Sequence, residues 1–477
     1  MIYGIGMMLG KALSFLLIPV YTRYLSPKDY GILELLDITG YVLGFLFGLG
    51  LDQGILKFYS QYDESQDKSG VLSTAIVFNL LLGGVLVLIL LPLSQHFSQY
   101  ILGAPDYTYL FILLFICLLL ESVLAKGKTI LRAQHRSVTF TIISLGYTVS
   151  AATLSVFFVV GLGLGLTGIY YSALICSFLF STYLILNILK STGVRVHWLK
   201  LKQMAAYGVP FVPVGIFAFI LHWSDRYILN IYSNIETIGL YALGYKMGMS
   251  IVMLIAVPFL FIWNAYLFEI EKRPDAKQIY ASIATYFVLA MTLGGLVLSV
   301  FSRELIAILA PKAYEDASRV IPIIAVAMIF MCSEDVFQVG LLIKGKSMYI
   351  ALSKGIAAGV SVLFNIMLIP RYDMMGAAIT VLVSMATFCA IIIHFSQKTY
   401  FIHFEYKRLG KIAAAALIVF SLTSLLNSEN IWSSIILKTG MVALFPVVLV
   451  ALGFLNFEET AILKRWHEQI RGHVWQN

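Results

Sequence analysis

Residues 26–56 read SPKDYGILELLDITGYVLGFLFGLGLDQGIL. The opening SPKDYG leads into a run, Leu33 to Leu56, that is apolar for long enough to cross a bilayer core, which takes about 20 helical residues. Two carboxylates interrupt its first half. Glu34 and Asp37 recur with Tyr41, Gly44 and Gly48 at helical spacing, so they form one narrow polar stripe on a helix otherwise suited to lipid. A charge at the bilayer midplane costs at least about 2.5 kcal/mol, so such a stripe implies a partner or a function.

The whole chain has the same character. Of its 477 residues 60% are apolar and only 12% charged, and the mean hydropathy is +0.89. Soluble domains carry about twice that share of charge and need it to cover their surfaces. Runs long enough to span occur at 3–22, 33–56, 71–93, 107–125, 138–160, 166–189, 205–231, 237–267, 281–301, 319–341, 349–369, 374–396, 410–426 and 431–455. None alternates as a barrel strand does, and unpaired backbone is excluded from lipid, so all are expected to be helices. The first run starts almost at the chain start, with no basic stretch or small-residue cleavage site, and reads as a span instead of a removed signal. The four cysteines lie inside apolar runs without ligand spacing, so neither a disulfide framework nor a metal site is expected.

Charge supports the count. Loops after even-numbered spans hold 22 Lys and Arg, Lys126 after span 4 among them, against 7 in loops after odd-numbered spans. By the positive-inside rule both termini are cytoplasmic. The net charge of +8 is scattered over these loops and forms no stripe for nucleic acid.

The sequence also repeats. SPKDYG at 26–31 is answered by SNIETIG at 233–239, Ala104-Pro105 by Ala310-Pro311, Arg136-Ser137 by Lys346-Ser347, and Thr167-Gly168 by Met375-Gly376, at offsets of 206 to 210. A period of six spans gives both halves one orientation. The expected fold is an all-α polytopic membrane protein: lobes 1–200 and 201–400, two parallel six-helix repeats around a central cleft, then spans 13 and 14 in 401–456. The tail 457–477, with Ile462, Trp466 and Ile470 set among basic residues, is expected to form an amphipathic cytoplasmic helix.

The first two helices of each half carry the polar residues. Lys11, Tyr21 and Arg23 lie on span 1, Asp37 and Tyr41 on span 2, His222, Asp225 and Arg226 on span 7, and Lys246 on span 8. Asp37 and Lys246 stand at matching repeat positions and are expected to face one cleft as a pair. Lys11, Arg23, Arg226 and Lys246 are its candidate cations, and Asp37, Tyr41, His222 and Asp225 its other polar groups. Pro19, Pro210 and Pro213 are hinge candidates.

Several of these residues carry a resemblance. Pro19-x-Tyr21-x-Arg23-Tyr24-Leu25-Ser26-Pro27-x-Asp29-Tyr30-Gly31, the Gly48-Leu49-Gly50-Leu51 ending of span 2, and Tyr207-Gly208-x-Pro210 leading to Ser224-Asp225-Arg226-Tyr227-Ile228 and Ile238-Gly239-x-Tyr241 resemble the polysaccharide-transporter, O-antigen flippase-like family of the multidrug/oligosaccharidyl-lipid/polysaccharide exporter superfamily. The resemblance implies translocation of a polyprenyl-pyrophosphate-linked oligosaccharide across the bacterial inner membrane, for surface polysaccharide such as O-antigen or exopolysaccharide. Its implied partners are that lipid-linked substrate, membrane lipids, glycosyltransferases and a polymerase, with no cofactor and no nucleic acid. The substrate's pyrophosphate needs cations, and the four candidates supply them. The rival within the superfamily is a cation-coupled multidrug exporter, and a non-transport component of an assembly complex is the blander alternative. No connection is long enough to hold a glycosyl-transfer site, so an enzyme is not expected.

The topology is directly testable. In a cysteine-free background, a single cysteine at Gln99 should label from outside and one at Ser191 only from inside; the reverse pattern contradicts the charge reading.

Overall fold

The computed structural model describes residues 10, 13, 15–425 and 430–456. Lys11, half of the first expected span and the tail 457–477 lie outside them. Among the described residues every regular element is helical, and eleven stretches are long and apolar enough to cross a membrane. One stretch, Ser347–Thr399, runs 53 residues but breaks at Asp373 (φ 53°, ψ −133°), and so carries the eleventh and twelfth expected spans. The thirteenth corresponds to Tyr406–Ser424, whose first turns hold Lys407, Arg408 and Lys411. The protein is thus an all-α, multi-pass membrane protein.

Packing divides the chain into two compact units. One comprises described residues of 1–246 with 306–320 and 351–388; the other comprises those of 247–305, 321–350 and 389–477. The expected lobe boundary at 200 divides the chain by its repeat, and these units divide it by contact, so the two cuts fall at different places.

The repeat is visible in local conformation. Ser26 and Asp29 form a capping box at the start of Pro27–Gly48, and 208 residues on Asn234 Oδ1 accepts from the Thr237 N–H, 2.8 Å, at the start of Ile235–Gly248. The turns before spans 5 and 11 share one hydrogen-bond pattern. Arg136 N–H donates to Leu131 O at 2.9 Å, and Lys346 N–H to Leu341 O at 2.8 Å. Both turns pass through a left-handed residue, His135 (φ 57°) in one and Gly345 (φ 64°) in the other.

Two repeat glycines meet each other's helices inside the first unit. A Cβ on Gly31 would stand 2.0 Å from Ile235 O, and one on Gly239 would stand 1.9 Å from Pro27 O. Residues 27 and 31 therefore face 235 and 239 reciprocally, as a twofold relation between repeats requires. This crossing brings the two helix starts into backbone contact.

The expected hinge prolines mark helix starts. Pro19 is in the first turn of Ile18–Tyr24, Pro210 is the N-cap of Phe211–Tyr232, and Pro213 is in that helix's first turn. Proline fits there because those N–H groups lack intrahelical partners.

One expectation is corrected. Lys126, placed by hydropathy in a loop after residue 125, lies within the helix Thr108–Ala133 and is 2% exposed. Its ammonium reaches Asp52 Oδ2 at 2.6 Å, and Thr129 Oγ1 donates to Asp52 Oδ1 at 2.8 Å. Asp52 opens the helix Leu51–Gln61 just after Leu49 (φ 45°) and Gly50 (φ 67°), which end the Pro27–Gly48 helix. The charge lowered the hydropathy, and a partner from another helix removed its cost.

Gly239→Ala should lower the apparent melting temperature in detergent, since overpacking costs about 1–3 kcal/mol. Gly84→Ala, with nothing within 4 Å of the new Cβ, should leave it unchanged. Equal melting of both variants contradicts the backbone crossing.

Candidate functional site

The crossing at Gly31 and Gly239 sets the register of the polar residues beyond it. Glu34 follows Gly31 by three residues, and Lys246 follows Gly239 by seven, on the same face. Glu34 is buried, at 5% exposure. Its Oε2 lies 3.0 Å from Lys246 Nζ and its Oε1 3.3 Å from Arg226 Nε. One carboxylate is shared by two cations.

Those cations are held unequally. Arg226, 1% exposed, donates through one guanidinium nitrogen to Asp225 Oδ1 at 2.8 Å and to His222 O at 2.7 Å. Its guanidinium lies over the Tyr245 ring at 4.1 Å and the Tyr241 ring at 5.1 Å. Tyr241 donates its hydroxyl proton to the other Asp225 oxygen. The buried Arg226 Nε faces Glu34 at 3.3 Å, an ion pair outside ideal hydrogen-bond alignment. The Lys246 side chain, by contrast, is 37% exposed, and its ammonium lies 4.8 Å from the centre of the Tyr30 ring.

The other expected residues are placed as follows. Asp37 is exposed, and the ion pair expected between it and Lys246 is replaced by Glu34–Lys246, one helical turn nearer the crossing. Tyr41 is 45% exposed and packs against Trp223 at 4.6 Å and Phe219 at 6.0 Å. His222 contributes its carbonyl to Arg226 and its ring to Trp223. Arg23 is exposed at the end of its helix. Arg226, expected to reach a ligand, is enclosed by Asp225, Glu34 and two tyrosines. Its role in this geometry is to anchor the network, and Lys246 is the network's accessible cation.

Glu34 is the residue that sequence reasoning passed over as a partner for Lys246. The signal was available in the stripe and in the repeat glycines, because a crossing at Gly31 puts Glu34 only about 4.5 Å farther along the axis and Asp37 about 9 Å. What spacing could not supply was how closely the two helices cross.

The arrangement balances two cations against two carboxylates and leaves the Lys246 side chain partly exposed. It can bind an anion by exchange and has no activated nucleophile. Among the described residues no group of three or more His, Cys, Asp or Glu side chains is placed to hold a metal ion, and all four cysteines are free and buried.

Several known proteins have related sequences or folds. The profile of a family described as "Polysaccharide biosynthesis protein" matches residues 1–262. The chain is 21% identical, over 86% of its length and 85% of the other protein, to one named "Probable low-salt glycan biosynthesis flippase Agl15" from Haloferax volcanii. It is 24% identical, over 58% of its length and 66% of the other, to an "Uncharacterized membrane protein" of Haemophilus influenzae. Its fold is similar to that of "Lipid II flippase MurJ, inward closed conformation" (TM-score 0.76, 15% identity, 94% of this chain and 97% of that one). It is also similar to an inward-facing multidrug resistance MATE transporter of the MOP superfamily (TM-score 0.63, 15% identity, 85% and 96%).

Asp225→Asn removes the carboxylate bonded to a guanidinium that water does not reach. It should destabilise the protein by about 3–5 kcal/mol, the cost of breaking a buried pair. Arg23→Ala, at an exposed position, should stay within about 0.5 kcal/mol of the parent. Detergent unfolding curves compare the two, and a mild Asp225→Asn contradicts the anchoring role of Arg226.

Proposed function

Because the chain belongs to the polysaccharide biosynthesis protein family, we propose that it is a flippase that moves a polyprenyl-pyrophosphate-linked oligosaccharide across the bacterial inner membrane by alternating access, with both termini in the cytoplasm. The observation that carries this reading is Lys246, whose side chain is 37% exposed and which shares its carboxylate with a second cation. A pyrophosphate leaving the headgroup region loses water and counterions. It needs fixed cations that are not already fully neutralised, and each charge-assisted bond is worth about 1.5–3 kcal/mol. Lys246 answers that need, with Arg23 and Lys11 as further candidate cations and Asp37, Tyr41 and His222 as polar surface for the sugars. The naming of the Haloferax relative as a probable glycan biosynthesis flippase supports the same substrate class. Glycosyltransferases would supply such a substrate and a polymerase would consume it.

A second reading, cation-coupled multidrug export, is favoured by Asp37, an exposed carboxylate on the span 2 stripe, and by the MATE-like fold. The two readings differ in which charge is indispensable.

In cells whose surface glycan depends on this protein, Lys246→Ala at normal protein level should reduce export severely, since losing one charge-assisted bond weakens binding by about 10- to 100-fold. Full export by Lys246→Ala, together with drug sensitivity caused by Asp37→Asn, would contradict the flippase reading and support the exporter.

A further inference from the structure

We infer that Glu34 is a positioning residue which an anionic headgroup displaces from Lys246, and that this displacement loosens the closed end of the first unit; the inference rests on the flippase reading above. Three observations carry it. Glu34 meets Arg226 at 3.3 Å and Lys246 at 3.0 Å, two ion pairs that share one carboxylate. Arg226 has bonds to Asp225 and to the His222 carbonyl that do not involve Glu34. Lys246 has Glu34 as its close carboxylate and is the open member of the pair.

The third observation leads away from the network. Tyr30, one helical turn before Glu34, lies under the Lys246 ammonium and packs edge-on against Tyr314, ring centres 6.1 Å apart. The Tyr314 hydroxyl donates to Leu25 O at 2.9 Å, and the Thr22 hydroxyl donates to Leu309 O at 3.0 Å. These bonds tie residues 22–30 to 309–314 at the crossing end. A pyrophosphate that takes Lys246 removes both the ion pair of Glu34 and the cation above Tyr30, and the tie loses its backing. The carboxylate therefore keeps this tie in place and yields to an anion that can replace it.

Glu34 competes with the substrate on this account, so its neutralisation should tighten binding. The test uses the full chain in phosphatidylcholine nanodiscs with radiolabelled geranylgeranyl pyrophosphate as probe. Glu34→Gln should bind at least fivefold more tightly than the parent, Lys246→Met should bind weakly, and Glu34→Gln in the Lys246→Met background should gain nothing. Glu34→Asp should restore parental affinity. Glu34→Gln that melts normally yet binds no more tightly overturns the inference. Hydrogen exchange on the unaltered protein provides a readout that needs no variant: the probe should speed exchange in 22–34 and 306–320, and unchanged or slower exchange there overturns the loosening. Parental binding that depends on Lys246 while Glu34→Gln behaves as the parent removes the exchange alone. No binding by the parent removes the flippase reading with it.

Discussion

A carboxylate taken out of water has to be compensated by cations, and Glu34 is compensated by two on one neighbouring stretch of chain, Arg226 and Lys246. Most of the surrounding structure follows from that demand. The helices that carry Glu34 and Lys246 can approach closely only because Gly31 and Gly239 have no side chains where they cross. Arg226 brings a second positive charge into the same volume, so Asp225 lies beside it with Tyr241 bonded to the remaining oxygen. Tyr245 and Tyr30 present aromatic faces to the cations.

The compensation is uneven, and the unevenness suits transport. A network neutralised at every point would be a structural staple, and one with bare cations would not survive in a membrane. Here Arg226 is enclosed while Lys246 keeps a third of its side chain exposed. The same principle is used without an open cation elsewhere: Lys126, 2% exposed, with Asp52 and Thr129 fixes the break after Gly48, and Lys438 lies 2.6 Å from Glu304 within the second unit. Those pairs hold helices together. The Glu34 group differs in having a cation with somewhere else to bind.

Much of the fold was legible because lipid imposes long apolar runs and because a duplicated chain leaves paired landmarks. The break between spans 11 and 12 was expected near 369–374 and occurs at Asp373. The reciprocal glycines belong to the quoted landmarks at 31 and 239, although their direct contact was not foreseen. The site was legible as a set of helices and less so as a set of bonds. Helical periodicity puts Glu34 and Asp37 on one stripe, and only the closeness of the crossing decides which of them Lys246 reaches. Hydropathy failed at Lys126 for a related reason, since a composition window sees a charge and cannot see its partner 74 residues earlier. Arg226 was legible as a cation of the site, but not its burial or its enclosure by its sequence neighbour Asp225.

Reconstitution tests the central claim most directly. Liposomes containing the purified protein and a fluorescent polyprenyl-pyrophosphate disaccharide are treated with a membrane-impermeant reagent that quenches only outward-facing label. The account requires that the protein speed the exchange of label between leaflets and that Lys246→Met abolish the acceleration while Arg23→Ala retains most of it. Acceleration undiminished by Lys246→Met would contradict the claim that an open ammonium on a shared carboxylate is where the anionic headgroup is received.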